Sequence, residues 1–127
     1  MVDLFELSLP TGLIYDERML PHRDESGKYN VECPERMSSI YDKFGEYGLV
    51  DRCDVMEARP VTEDEIRVFH DQSLLDKMIS LKEEDEEKRK AVMEELTETH
   101  DGVYFNDATW EAAHLAAGAC IDAVDMV

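Results

Sequence analysis

Cysteine is scarce in this 127-residue chain, and its three cysteines stand far apart, at positions 33, 53 and 120. There is no CxxC pair and no compact disulfide framework, which favours a reducing compartment. No apolar run is long enough to span a membrane. The amino terminus lacks the basic and apolar regions of a signal peptide. We therefore expect a cytoplasmic or nuclear protein without a membrane segment.

Basic residues are also few, since 13 Lys and Arg stand against 31 Asp and Glu, for a net charge of −18. A field of this sign repels phosphate backbones, so we expect no direct nucleic-acid binding. The same field would attract basic partners such as lysine-rich tails, although a solvated acidic surface is its commoner meaning. Hydrophobic residues make up 43% of the chain, which is enough for a core.

Familiar catalytic motifs are absent as well. The four histidines do not occur in HExxH or beside a second His or Cys at metal-ligand spacing, and no nucleotide-binding glycine loop, GxSxG or calcium loop occurs. The pattern favours a structural role at a helix end for His70 and a hydrogen-bonded core position for His114. Spacing alone therefore defines no catalytic set.

Short apolar runs alternate with helical patterns along the chain. Residues 12–15 and 53–56 are predicted strands. Between them, Pro34 can begin an amphipathic helix that ends at Gly48. Residues 16–33 are predicted to form a long polar loop, and long ordered loops are often functional. Strands that alternate with helices indicate an α/β fold with a mostly parallel sheet.

More helices are predicted after the second strand. Thr62 and Glu65 form a capping box for a short helix with Ile66 and Phe69 on its apolar face. Asp71 can cap the next helix. The residues of that helix predicted to face inward are Leu74, Leu75, Met78 and Ile79. The charge-dense residues 82–99 are predicted to form a solvated helix or a mobile loop.

Residues 109–127 read as an alanine-rich helix, capped by Asn106 or Asp107. The helix is apolar on most faces, and such a helix is typically buried. The preceding chain is mostly acidic and polar, and it supplies too few strands to complete a sheet. We therefore expect residues 1–9 to be a leader and residues 10–127 to be the amino-terminal portion of a larger domain.

The sharpest local feature is Glu32-Cys33-Pro34-Glu35-Arg36. A positive charge in the first turn of a helix opposes the helix dipole, so Arg36 requires a compensating group. Two interpretations remain open for it: a structural ion pair with Glu32 or Glu35, or a cation that faces a cavity. Cys33 has no visible activating base and is interpreted as a small buried residue.

Five segments occur in a fixed order: TGLIYDERM (11–19), ECPER (32–36), YGLVDRC (47–53), FHDQSLLDKM (69–78) and the run from Asp101 through VYFNDATWEAAHLAAGACIDAVDMV. Together they resemble the amino-terminal part of the zinc-dependent histone deacetylase domain, over residues 10–127. The class II proteins, of the tubulin-deacetylase type, are the most similar. The resemblance implies part of a three-layer fold like that of arginase, with a mostly parallel sheet.

The resemblance also implies a reaction, the hydrolysis of acetyl-lysine on histone tails or tubulin. In the family, a zinc ion held by two Asp and one His polarises the acetyl carbonyl, and a His pair moves protons. Those residues lie beyond position 127 in the family's order. The segment is therefore expected to hold no metal ligand and no catalytic residue, and to be inactive alone.

The positions that the resemblance does assign are peripheral. Arg36 matches the arginine of the internal channel through which acetate leaves, and a guanidinium suits carboxylates because it binds them in bidentate fashion. Tyr15 matches a position near that channel. Asp101 and Gly102 match a rim segment that contacts the substrate backbone, where Gly102 departs from the acidic or hydroxyl side chain of the family. Asn30 stands at the pocket mouth, where the family often has His-Pro.

Two other functions remain open from the residues alone. A non-catalytic acidic module could bind basic protein tails, as the net charge suggests. The other alternative is a pseudoenzyme segment that assembles with a separate chain. An active deacetylase requires a downstream zinc motif and a His pair, whereas the acidic module requires neither.

Overall fold

The computed structural model describes residues 11–27, 30–100 and 102–126. Strands β1 (Thr11–Ile14) and β2 (Cys53–Met56) form a parallel pair in which Thr11 lies opposite Cys53 and Ile14 opposite Met56. Parallel strands need a long crossover connection, and the intervening chain supplies it with helix α1 (Glu35–Glu46). Both predicted strands and the α/β class are confirmed.

Helix α1 has clear signals at both ends. Pro34 precedes its first residue, in keeping with the fixed φ of proline. At the other end, the Leu49 N–H donates to the Phe44 carbonyl (2.8 Å) and the Gly48 N–H to the Gly45 carbonyl (2.9 Å), which is a Schellman motif. Gly48 has φ +63°, a conformation that glycine adopts without a Cβ clash. The predicted end of this helix is confirmed.

Three helices follow β2: α2 (Glu63–Arg67), α3 (Gln72–Glu83) and α4 (Glu86–Thr99). The predicted capping box of α2 is present in both directions, between Thr62 and Glu65. Asp71 precedes α3, but its side chain makes no capping hydrogen bond. Most of the charge-dense stretch forms α4, so the helical alternative for residues 82–99 is the one observed.

Two residues predicted to face inward are exposed instead. Phe69 is 92% exposed and Leu74 is 45% exposed, whereas Leu75 is 3% exposed. The reason for Phe69 is that α2 ends at Arg67. Phe69 follows in a turn, where its N–H donates to the Ile66 carbonyl (3.1 Å).

Helix α5 (Thr109–Asp125) packs against β1 and a 3-10 turn at Glu17–Met19. The buried residues of α5 are Ala112, Leu115 and Gly118, while Ala113, Ala116 and Ala117 are exposed. The described residues therefore do not cover this apolar helix on all of its faces. One face is covered and another is open. None of the described helices is long and apolar enough to cross a membrane.

The predicted cap of α5 is also wrong in position. Ala108 occupies the N-cap, and it makes no side-chain capping bond. The side-chain oxygen of Asn106 accepts from the Ala108 N–H (3.1 Å), and the Asn106 carbonyl accepts from the Thr109 N–H (3.0 Å). Asn106 thus forms a turn ahead of the helix rather than its cap.

The covered face of α5 approaches the chain after β2 very closely. A Cβ on Gly118 would lie 1.9 Å from the Arg59 carbonyl oxygen. The Val61 N–H donates to the His114 carbonyl at 2.9 Å. Only glycine permits this approach of helix and backbone. The buried hydrophobic residues in the part of the chain that the structure describes are Ala58, Val61, Leu75, Tyr104, Ala112 and Leu115.

Candidate functional site

A groove of about 330 Å³ lies between the start of α1, the loop before it and the open side of α5. This volume is at the lower end of the range typical of ligand pockets. The apolar residues that line the groove are Met19, Pro34, Met37, Ile40, Ala112, Ala113 and Ala116. The polar and titratable residues that line it are His22, Glu32, Cys33, Arg36, Tyr104 and Thr109. The groove is therefore an apolar surface with a few polar groups that could orient a ligand.

Arg36 lines this groove and is ion-paired within it. Its Nη1 contacts Oε2 of Glu32, and the two side chains are 59% and 58% exposed. The carboxylate compensates the positive charge in the first helical turn. The two interpretations left open by the sequence therefore hold together, because Arg36 is paired with Glu32 and also faces a cavity.

The backbone that carries Glu32 is held on both sides. The Glu32 N–H donates to Oδ1 of Asn30 (3.0 Å), and the Tyr104 hydroxyl donates to the Glu32 carbonyl (3.2 Å). Tyr104 is only 7% exposed, and burial, followed by the charge of Glu32, raises the pKa of its hydroxyl. Asn30 also donates to the Asp24 carboxylate (3.2 Å). The end of the long loop is thus fixed beside Arg36.

The rest of the loop is tied to the start of α5. The His22 ring stacks on Tyr104 with centroids 4.7 Å apart, and its Nδ1 shares a hydrogen bond with the Thr109 hydroxyl (3.0 Å). Asn106 is 5% exposed and donates to the Pro21 carbonyl (2.8 Å). The sequence reasoning did not find His22, Tyr104 and Asn106 as a group. More than 80 residues separate His22 from its partners, and no local pattern marks them.

The other predicted site residues lie apart from Arg36. Tyr15 stacks on Tyr41 of α1, with centroids 3.9 Å apart, and it is not among the described residues that line the groove. Gly102 is exposed and has φ +76°, a region that favours glycine, which accounts for the missing side chain at this position. Asp101 lies outside the described residues. The structure thus brings Asn30 and Arg36 together through Glu32, but it does not bring Tyr15 into the groove.

A second, smaller groove of about 210 Å³ lies beside the first along α5 and is bounded by α2 and α3; Thr109 and Ala113 line both grooves. The residues of α5 that line it include Trp110 and His114, whose rings are in contact with centroids 4.0 Å apart. The Nδ1 of His114 lies 2.8 Å from the Trp110 carbonyl. His114 is thus hydrogen-bonded, as predicted, but it is only half-buried.

Arg59 fixes the end of α5 to α2. Its guanidinium binds both carboxylate oxygens of Glu65 (2.8 and 2.9 Å), and its Nε donates to Asp122 (2.8 Å). The bonds from Arg59, and then those from Thr62, lower the pKa of the Glu65 carboxyl to about 2. This three-residue cluster, Arg59–Glu65–Asp122, joins segments more than 50 residues apart and reinforces the covered face of α5.

Zinc is the metal that the sequence resemblance implies. Over residues 11–27, 30–100 and 102–126, no group of three or more His, Cys, Asp or Glu side chains is arranged to hold a metal ion. The described residues therefore do not fit a zinc site.

The architecture matches that of a known deacetylase. The crystal structure of the HDA15 HD domain superimposes with a TM-score of 0.67 at 26% identity, over 88% of this chain and 30% of that one. The parallel pair, its crossover helix and α5 thus represent part of an α/β fold of the arginase and deacetylase type. The predicted fold class, part of a three-layer α/β fold, is therefore confirmed.

Sequence comparison identifies the family. The histone deacetylase domain family matches residues 30–127, and the chain therefore belongs to this family. Histone deacetylase 18 of Arabidopsis thaliana is 32% identical over 118 residues, which are 91% of this chain and 17% of that protein. The human polyamine deacetylase HDAC10 is 32% identical over 119 residues, 92% of this chain and 17% of that protein. The chain thus spans about a sixth of each of these relatives.

Proposed function

We propose that residues 10–127 form the amino-terminal portion of a zinc-dependent lysine deacetylase of class II, similar to the tubulin deacetylases. Its substrates are acetylated histone tails or tubulin, in the cytoplasm, the nucleus or both. One observation carries this proposal. In a chain of the histone deacetylase domain family, Arg36 lines a groove together with apolar side chains. The segment supplies one wall of the pocket and is inactive alone.

The role of Arg36 follows from the chemistry of the product. Hydrolysis of an acetylated lysine releases acetate, a carboxylate that a guanidinium binds with two parallel hydrogen bonds. Apolar walls beside Arg36, such as Met37 and Ile40, limit the water that competes for those bonds. Zinc, held by residues outside this segment, would polarise the acetyl carbonyl. Arg36 would then guide acetate away from the reaction centre.

The remaining predicted residues have supporting roles. Asn30 holds Glu32 and the loop end at the pocket mouth. Tyr15 stacks on Tyr41 and supports α1. Asp101 and Gly102 belong to the rim that contacts the substrate backbone. The net charge of −18 favours substrates that carry positive charge, as lysine-rich segments do.

The test is a polypeptide that extends this chain through a complete deacetylase domain. We expect about one zinc ion per molecule and cleavage of acetyl-lysine peptides from histone and tubulin sequences. The 127-residue chain alone is the matched control and should show no turnover. An N-acetylated polyamine assayed in parallel distinguishes the substrate class, and cleavage of it alone would reject a protein substrate.

The same preparation separates the enzyme from the acidic-module alternative. If the extended polypeptide holds no zinc and cleaves none of these substrates, the deacetylase proposal is wrong. Salt-sensitive binding of lysine-rich peptides by the 127-residue chain, with that result, would favour the interaction module.

A further inference from the structure

We propose that Glu32 is an ionic latch on Arg36, an internal carboxylate that occupies the guanidinium until a product carboxylate displaces it. This inference rests on the proposed function, in which Arg36 receives acetate. It assigns to Glu32 a role in setting the affinity of the groove for carboxylates. Glu32 does not touch the reacting atoms, so it is a positioning residue and not a catalytic one.

The first support is the identity of the competing groups. Among the described residues that line the groove, Arg36 is the only Arg or Lys, and Glu32 is the only Asp or Glu. The side chain of Glu32 ends in the same carboxylate group as acetate. Glu32 occupies Nη1 of the guanidinium, so a ligand carboxylate that binds at Nη1 must displace it.

The second support is how Glu32 is presented. Its N–H is bonded to Asn30 and its carbonyl to the buried Tyr104, so its backbone is fixed on both sides of the side chain. A fixed backbone leaves less conformational entropy to lose when the carboxylate pairs with Arg36. The pair is therefore favoured by the loop structure and is not only a chance contact of two long side chains.

The third support is the exposure of the pair. Both side chains are more than half exposed, and an exposed ion pair contributes little net free energy. A ligand carboxylate can therefore replace Glu32 at a small cost. The latch lowers the affinity for acetate by a few-fold and does not block it, which suits a group that must let its product leave.

Helix α1 offers a matched control for this pair. Lys43 and Glu46 form a second ion pair on the same helix, with the same side-chain exposures of 59% and 58%. Neither residue is among the described residues that line the groove. Glu46→Gln therefore removes the same charge as Glu32→Gln, but from a pair that does not include Arg36.

The experiment is an NMR titration of the ¹⁵N-labelled 127-residue chain with sodium acetate, with sodium chloride reduced in step to hold ionic strength constant. The Nε–Hε signal of Arg36 reports binding, and that of Arg59, which donates to Asp122, reports that the fold is intact. We expect Glu32→Gln to lower the acetate dissociation constant about two- to fivefold. Glu46→Gln should leave it unchanged, and Arg36→Gln should abolish saturable binding.

The outcomes separate the latch from the function on which it rests. If acetate binds wild type and Glu32→Gln with the same dissociation constant, the latch is wrong and the carboxylate role of Arg36 stands. If acetate shifts the Arg36 signal in neither protein, both the latch and the carboxylate role of Arg36 are wrong. An equal gain in acetate affinity in Glu46→Gln would assign the effect to net charge and overturn the latch. An equal gain in the affinity of Glu32→Gln for acetamide, a neutral isostere of acetate, would assign the effect to added room in the groove and would also overturn the latch.

Discussion

Both faces of α5 contain small residues, and yet the two faces have opposite surroundings. On the covered face, Gly118 meets the backbone of Arg59 so closely that no side chain fits. On the open face, Ala113 and Ala116 are exposed and line the groove of Arg36. Small side chains therefore serve two purposes in one helix. They permit close backbone approach on one face and shape a cavity wall on the other.

This difference also separates stability from function. The covered face holds the Arg59–Glu65–Asp122 cluster and the buried residues Leu115 and Gly118. The open face holds the groove, whose ion pair is exposed. Substitutions on the covered face should therefore change unfolding, whereas those around the groove should mainly change ligand binding.

The largest expected effect is that of Gly118→Ala. Its Cβ would lie 1.9 Å from a carbonyl oxygen, and the backbone there cannot move without loss of the Val61 to His114 hydrogen bond. We expect the free energy of unfolding, from urea denaturation followed by circular dichroism, to fall by about 3 kcal/mol.

The matched control is Gly45→Ala in α1, where a Cβ would meet no atom within 4 Å. Because alanine favours a helix over glycine, this variant should gain roughly 0.5–1 kcal/mol. Equal stability of the two variants would show that α5 is not in close contact with the 59–61 backbone.

The next effect is that of Arg59→Gln, which disconnects α2 from the end of α5. Its partner Asp122 lies 63 positions away in the sequence, whereas the partners of Arg67 are near neighbours on the surface: Glu63, Asp64 and Gln72. We expect a clear decrease in the melting temperature for Arg59→Gln and little change for Arg67→Gln. A similar decrease for both would mean that the cluster on the covered face has no special role.

The pH dependence of stability should reflect the same cluster. The pKa of Glu65 is about 2 in the folded chain, against a reference value of 4.5, chiefly because of Arg59. A lowered pKa stabilises the fold above the unfolded value, and this contribution is lost as the pH falls from 4.5 towards 2. Glu65→Gln retains a capping side chain but removes the charge.

We therefore expect the urea midpoints of wild type and Glu65→Gln to differ at about pH 6 and to converge as the pH approaches about 2. The control is Glu63→Gln, which removes an exposed carboxylate from the same helix. This variant should differ little from wild type at either pH. A constant difference between wild type and Glu65→Gln across this range would contradict the role assigned to Glu65.

A smaller effect is expected on the groove side from Tyr104→Phe. The variant loses the hydrogen bond to the Glu32 carbonyl but retains the ring that stacks on His22. We expect a loss of about 1 kcal/mol in the free energy of unfolding. Tyr47→Phe, at a position 73% exposed, is the control and should have no effect. A loss larger than that of Gly118→Ala would reverse the comparison between the two faces.

The sequence predicted the elements that depend on local signals. Residues 53–56 form a strand with those bounds, Gly48 ends α1, and Thr62 with Glu65 caps α2. Each of these features involves residues within a few positions of one another. The resemblance of the five segments to the histone deacetylase domain family was also sufficient to identify the family.

The tertiary contacts could not be predicted in this way. Arg59 binds Asp122 across 63 positions, and Asn106 binds Pro21 across 85. Neither pair is marked by periodicity or by a motif. The apolar composition of α5 indicated burial, but it does not determine which face another segment covers. That depends on where the 59–61 backbone and the loop before α1 pack.

The most direct test of the central claim is the steady-state kinetics of Arg36→Gln in the extended polypeptide, with an acetyl-lysine peptide as substrate and Arg67→Gln as the matched arginine control. If Arg36 guides acetate out of the groove, kcat should fall about tenfold and KM should fall with it, so that kcat/KM changes little, because product release and not substrate binding or cleavage is affected. Arg67→Gln should match wild type in both constants. A kcat for Arg36→Gln equal to that of wild type would contradict the account.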